Sequence, residues 1–164
     1  MRDGGGSKDL TGGARREGRK GPTSRAIAHV DGASRGNPGP AACGVILSVE
    51  GLPCREIGLY LGETTNNVAE YCGLILALRE ARAEGVTDLT VISDSQLMVS
   101  QVNGEFKVSS EKLAPLHQKV TYLKSGFASF SMKYVPREEN TRADRLTDRV
   151  LKLAEDIRPQ KAGE

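Results

Sequence analysis

The chain has no tryptophan, only two histidines and three cysteines, and aromatic residues make up 4% of it. Each shortage narrows what it can be. Cys43, Cys54 and Cys72 are odd in number and lack metal-ligand spacing, so three reduced, mostly structural thiols are expected rather than a disulfide frame or a zinc site. No run approaches the ~18 apolar residues of a membrane span. The N-terminus has no apolar signal-peptide core, which places the chain in the cytoplasm by expectation. Strong net charge is also missing. The total is +2, but residues 1–25 hold seven basic and three acidic side chains, and the other 139 residues hold 16 and 18. The body of the protein is therefore not broadly basic. If it binds nucleic acid, it does so through local patches or with help from the N-terminal segment.

What is present orders itself into one domain. Residues 1–24 contain seven glycines and scattered charges, which reads as a disordered, basic leader. Arg25–Val30 reads as a strand, Ala41–Glu50 as a second and Arg55–Leu61 as a third, joined by short connections as an antiparallel meander. Thr64-Thr65-Asn66-Asn67 supplies helix-capping residues, and Val68, Tyr71, Ile75 and Leu78 follow at helical spacing to about Glu84. Asp88–Ser93 has a buried-strand composition and follows that helix, so it should lie parallel to strand one. A short helix over Ser95–Val102, a helix capped by Ser109 or Ser110, a fifth strand over Ala128–Val135 and a last helix from Asn140 or Thr141 complete the order. Ala143, Leu146, Val150, Leu153 and Ile157 are the expected apolar stripe of that last helix, and Pro159 its stop. The expected fold is α/β: a mixed five-stranded sheet, three antiparallel strands then two parallel, flanked by helices over residues 25–158, with a flexible tail over 159–164.

Four acids fall at element ends on this scaffold. Asp31 closes strand one before the Gly- and Pro-rich stretch Gly32–Pro40. Glu70 lies in the first turn of the first long helix, Asp94 ends strand four, and Asp144 lies in the first turn of the last helix. Singly, each reads as a helix cap or a dipole partner. Jointly they converge if strands one and four are neighbours. Four carboxylates packed together cannot all stay ionised unaided. A hard divalent cation with oxygen ligands resolves that conflict, and Mg²⁺ suits it because it keeps waters and accepts phosphate oxygens. Two such ions ~4 Å apart would support phosphodiester hydrolysis.

These residues carry a resemblance. Asp31–Pro40 (Asp-Gly-Ala-Ser-Arg-Gly-Asn-Pro-Gly-Pro), Thr64–Tyr71, Ser93-Asp94-Ser95-Gln96 and Asn140–Leu146 occur in the order of the motifs of type 1 ribonucleases H, and the chain resembles that family over about Ala26–Ile157. The resemblance implies a metal-dependent endoribonuclease that hydrolyses the RNA strand of an RNA/DNA hybrid and leaves 5′-phosphate and 3′-hydroxyl ends. It implies that Asp31, Glu70, Asp94 and Asp144 are catalytic and bind metal. The ions implied are Mg²⁺, with Mn²⁺ as a substitute, two of them with substrate bound. Asn37, Asn67 and Gln96 match positions that contact the hybrid's minor groove, and Thr65 a position near a DNA-strand phosphate. Ser34, Arg137 and Glu138 are auxiliary candidates.

Two departures stand out. The basic, Trp-rich insertion of many bacterial members is absent: Gln101–Lys124 holds only Lys107, Lys112, Lys119 and Lys124. The chain thus resembles the compact branch of the family, and its leader could partly compensate. The loop Val135–Asn140 also lacks the histidine that many members carry there; Arg137 could contact a phosphate instead, and Glu138 or Glu139 could shuttle a proton or disturb a metal. The expected state is a monomer acting on hybrid, with no membrane partner. Three rivals are a same-fold nuclease that also cuts double-stranded RNA, a non-catalytic hybrid-binding module, and a structural domain that recruits a partner.

Overall fold

The structure is a computed structural model, and it describes residues 22–158. The expectations for residues 1–21 and 159–164, including the stop at Pro159, lie outside the described residues. Ser24, placed in the leader by its sequence, is already tied in: its carbonyl accepts from the Thr87 and Asp88 amides at 2.9 and 3.0 Å.

Ten elements follow one another: β1 (Arg25–Ser34), β2 (Gly39–Val49), β3 (Arg55–Thr64), α1 (Asn66–Ala83), β4 (Asp88–Ser93), α2 (Gln96–Val102), α3 (Ala114–Lys124), β5 (Ser129–Tyr134), a 3₁₀ turn (Arg137–Glu139) and α4 (Thr141–Ile157). The sheet order is β3-β2-β1-β4-β5. β1 pairs antiparallel with β2 and parallel with β4, which pairs parallel with β5. The mixed five-stranded sheet expected from the sequence is therefore the observed one.

Apolar alternation explains the layering. Ala28 and Val30 of β1, Val45 and Leu47 of β2, and Leu89 and Val91 of β4 share one core with Tyr71, Leu74 and Leu78 of α1 and Val120 of α3. α4 covers the opposite face, and glycines let both layers approach. A Cβ on Gly44 would lie 2.9 Å from the Thr147 hydroxyl and 3.0 Å from the Ala143 carbonyl. A Cβ on Gly32 would lie 2.2–2.4 Å from the backbone of Ala69 and Glu70. Gly32 cannot be replaced without moving α1, and at Gly44 the Thr147 side chain and the α4 backbone would have to give way.

Three expectations need correction. β1 does not stop at Val30 but runs to Ser34, because Gly32, Ala33 and Ser34 pair with Cys43, Ala42 and Ala41. The Gly-Pro stretch is thus half strand. The turn proper is Arg35–Pro38, where Gly36 has φ +90° and the Arg35 amide donates to the Pro40 carbonyl at 2.8 Å. Second, the buried face of α4 is Ala143, Thr147 and Leu151, while Leu153 and Ile157 are 59% and 69% exposed. Leu146 and Val150 do face the sheet, above Gly58 of the edge strand β3, while Leu153 and Ile157 line an open cleft with Tyr60 of the same strand. Third, α3 begins at Ala114, not at Ser110; the Ser110 hydroxyl accepts from the Leu113 amide and stabilises a turn ahead of the helix.

Candidate active site

The register delivers the first two acids. The last parallel pair between β1 and β4 is Val30 with Ser93, so Asp31 and Asp94 are the next residues out on neighbouring strands. Beyond Ser93 the chain turns. The Ser93 hydroxyl accepts from the Ser95 amide at 3.0 Å, and the Ser95 hydroxyl caps α2 by accepting from the Met98 amide at 3.3 Å. Asp94 is therefore not the cap of α2, and its carboxylate is left free of that task.

Glu70 arrives from α1. Thr65 is the N-cap, its hydroxyl accepting from the Val68 amide at 3.3 Å. That places Glu70 one residue beyond the first turn expected for it, where the dipole of free amides offers little. Gly32 opposite Ala69 and Glu70, and Gly73 against the Asp31 carbonyl, bring α1 onto β1 at that level.

Asp31, Glu70 and Asp94 each offer a carboxylate oxygen within 4.8 Å of the others. Asp31 is 4% and Glu70 7% exposed. Asp31 Oδ2 and Glu70 Oε2 are buried and have no hydrogen-bond partner. Burial pushes the Asp31 carboxyl up to about 6; the Thr147 hydroxyl opposes this, Asp94 and Asp144 add to it, and the Gly32 amide opposes it. Glu70 is held well above the ordinary carboxylate range, by burial first and then by Asp31 and Asp94. Two buried oxygens without donors, beside a third acid, form an oxygen-only pocket that lacks its positive charge. That donor set fits a hard divalent cation.

Asp144 stands apart from this trio. It lies in the first turn of α4, lines a cleft of ≈ 390 Å³ together with Asp31, Ser34 and Arg137, and accepts from Arg137 Nη2 at 3.2 Å. Glu138 is exposed in the 3₁₀ turn, and the Ser34 hydroxyl is buried without a partner.

Three of the polar candidates share a second groove. Asn37, Thr65 and Asn67 line a groove of ≈ 500 Å³ with Leu97, Gln101, Phe106, Lys107 and Lys112, while Gln96 is exposed at the start of α2. The Asn37 carboxamide oxygen accepts from the Asn66 amide at 3.1 Å, which ties the first turn to α1.

Sequence reasoning missed two residues here. The sequence offers Asn140 as a helix opener within the motif Asn140–Leu146. Its side chain makes no cap; it is 1% exposed and its Nδ2 donates to the Val30 carbonyl at 2.9 Å, pinning α4 beside Asp31. No signal in the sequence separates this role from capping. Phe106, 55% exposed in the groove, was overlooked because it is flanked by charged residues in a loop.

Several known proteins resemble this chain in sequence and fold. A family model described as "Reverse transcriptase-like" matches residues 29–150. The bifunctional protein of Mycobacterium tuberculosis is 39% identical over 132 residues, 79% of this chain and 36% of that protein. Ribonuclease HI of Halobacterium salinarum is 42% identical over 128 residues, 77% of this chain and 64% of that protein. The chain thus spans between one third and two thirds of the length of these relatives. The crystal structure of RNase H1 from Halobacterium salinarum superposes with a TM-score of 0.75 at 40% identity, covering 78% of this chain and 98% of that one. LC11-RNase H1, solved in complex with an RNA/DNA hybrid, gives 0.74 at 37% identity, covering 79% and 98%. With its motifs, sheet order and carboxylate trio in place, the chain belongs to the type 1 ribonuclease H family.

Proposed function

We propose that the protein is a metal-dependent endoribonuclease that hydrolyses the RNA strand of RNA/DNA hybrids and leaves 5′-phosphate and 3′-hydroxyl ends. The observation that carries this reading is the buried trio of Asp31, Glu70 and Asp94, with two carboxylate oxygens that no protein donor satisfies. Family membership supplies the substrate class, and a relative solved with an RNA/DNA hybrid supports it.

The trio would hold divalent cations, Mg²⁺ with Mn²⁺ as substitute, and Asp144 would complete the set from the α4 side. Such ions supply charge for an incoming phosphodiester, a more acidic attacking water and stabilisation of the leaving oxygen. The protein's own part is positioning. Asp31 and Asp94 are fixed by strand register and Glu70 by the Gly32 contact, so the ligands need little rearrangement. Among the described residues no protein donor reaches the orphan oxygens, which leaves them free for a cation from solvent.

Substrate would lie across the two flanking clefts. On one side, Asn37, Asn67 and Gln96 offer amides to ribose hydroxyls and base edges in the minor groove, with little sequence preference. Thr65, Lys107 and Lys112 line the groove beyond, where a DNA strand would place its phosphates; Leu97 and Phe106 offer apolar surface for sugars that lack a 2′-hydroxyl. At the other cleft, Ser34 and Arg137 would flank the scissile region, with Glu138 exposed in the adjoining 3₁₀ turn.

The test is cleavage of one labelled RNA strand paired with DNA, paired with RNA, and alone, each with Mg²⁺, with Mn²⁺ and with chelator. The reading expects cutting of the hybrid only, lost with chelator. Equal cutting of both duplexes would make it a broader nuclease, and binding without cutting in any metal would overturn it.

A further inference from the structure

The acceptors in the groove beside the trio are largely spent on the protein itself. The Asn37 carboxamide oxygen takes the Asn66 amide, and the Thr65 hydroxyl oxygen takes the Val68 amide. Gln101 completes the pattern. It lies in the last turn of α2, is 6% exposed, and its Oε1 accepts from the Tyr71 hydroxyl at 2.6 Å. Tyr71 is itself buried, next to Glu70 in α1. The backbone of Gln101 is held as well: its carbonyl accepts from the Gly104 amide at 3.2 Å and meets His117 Nε2 at 3.2 Å.

This leaves the side-chain NH₂ group. Gln101 lines the groove, and its Nε2 is not among the buried polar atoms without a partner. No hydrogen bond within the protein uses it among the described residues. The amide is therefore fixed at its oxygen end by a buried hydroxyl and open at its donor end to the groove. A carboxamide costs rotamer entropy to hold in one orientation, and here the protein has already met that cost. With the free hydrogens of Asn37 and Thr65, and with Lys107 and Lys112, the groove presents donors whose paired acceptors are occupied. The chemistry such a surface fits is rich in acceptors and poor in donors, and a phosphodiester backbone without 2′-hydroxyls meets that description.

We infer that Gln101, oriented by Tyr71, is a substrate-positioning residue that donates a hydrogen bond to a phosphate of the DNA strand. The inference deepens the proposed function and rests on it for the identity of the strand. It makes a α1–α2 strut, Tyr71 to Gln101, part of substrate recognition, and so links the helix that carries Glu70 to the strand held opposite the cut.

Three variants separate this from a purely structural role. Gln101→Met keeps the length but removes the donor and the acceptor. Gln101→Glu keeps an acceptor for Tyr71 and removes the donor. Tyr71→Phe keeps the donor and releases its orientation. Hybrid binding is read by fluorescence anisotropy, steady-state cleavage is read separately, and folding is read by melting temperature. The expected result is a roughly tenfold or greater rise in Kd and KM for both Gln101 variants, as for loss of a hydrogen bond to a charged group, with kcat within about twofold of wild type. Tyr71→Phe should show a smaller rise of the same kind. A hybrid whose DNA strand carries uncharged methylphosphonate linkages should bind wild type and Gln101→Met alike. Folded Gln101 variants with wild-type Kd and KM would overturn the inference, and so would a penalty that persists on the methylphosphonate hybrid. If wild type binds hybrid but cleaves nothing, the proposed function fails while the anisotropy comparison still decides the role of Gln101.

Discussion

Asp31 and Glu70 are costly residues to bury. Both carboxyls are held above their ordinary range in the folded protein, so the folded state binds more protons than the unfolded one across the interval between the two values. Stability from these groups is therefore greatest below the unfolded pKa, near 4, and falls as pH rises through about 6, where Asp31 ionises. We predict that the metal-free protein, followed by urea denaturation in chelator, loses stability through these groups as pH rises above about 4, through about 6 for Asp31. Asp31→Asn should remove part of that slope and raise metal-free stability at pH 7 by roughly 1–3 kcal/mol. Mg²⁺ should raise the melting temperature of wild type more at pH 7 than at pH 5, since protons compete for the same oxygens. A metal-free protein indifferent to Asp31→Asn at pH 7 would contradict the burial argument. The thiols give a second check at this scale. Burial pushes the Cys43 thiol up to about 12, whereas Cys54 is exposed. A thiol reagent should label Cys54 in the native protein and reach Cys43 only on unfolding.

The elements show where sequence reading succeeds and where it stops. β4 was legible to the residue, since Leu89-Thr90-Val91-Ile92 admits few alternatives between a helix end and Asp94. α1 was legible from its cap and its period. β1 was cut short because Gly32 reads locally as a turn residue; the reason for that glycine, the backbone of Ala69 and Glu70 pressed against it, is tertiary and invisible in one dimension. The face of α4 was misread for a similar reason. Thr147, a polar residue, is buried there because its hydroxyl donates to the Ala143 carbonyl at 3.0 Å and its neighbour Gly44 leaves room. The acids themselves were legible as a set, but the division into a trio and an outlying Asp144 paired with Arg137 needed coordinates. A prediction follows for the strand–helix contact. Gly32→Ala cannot be absorbed by a flexible side chain, because every atom it meets is backbone. It should destabilise the protein by about 1–3 kcal/mol or more and cut activity beyond what the stability loss explains, by displacing Glu70. Gly32→Ala with wild-type melting and turnover would show that α1 is less tightly seated than described.

At the scale of the whole molecule, charge is divided rather than pooled. The segment before Arg25 is basic, while the remainder is slightly acidic, and the groove offers Lys107 and Lys112 in place of a basic insertion. Affinity for hybrid should therefore depend on the N-terminal segment. Deleting residues 1–21, which spares the Ser24 contacts, should weaken binding and flatten its dependence on salt, since each lost phosphate contact removes about one unit from the slope. Unchanged binding would leave that segment without a part in recognition. Among the described residues no helix is long and apolar enough to cross a membrane. The trio is tested by turnover of a single RNA/DNA hybrid in Mg²⁺ by wild type and by Asp94→Asn, with the ends of the products identified. A group that merely supports a metal ligand typically contributes ~10–100-fold to activity, so loss of a ligand should cost more than about a hundredfold. The account predicts metal-dependent cuts in the RNA strand alone, with 5′-phosphate and 3′-hydroxyl ends, and that loss in a folded Asp94→Asn. Wild-type turnover in the variant, or products with a 2′,3′-cyclic end, would place the chemistry elsewhere.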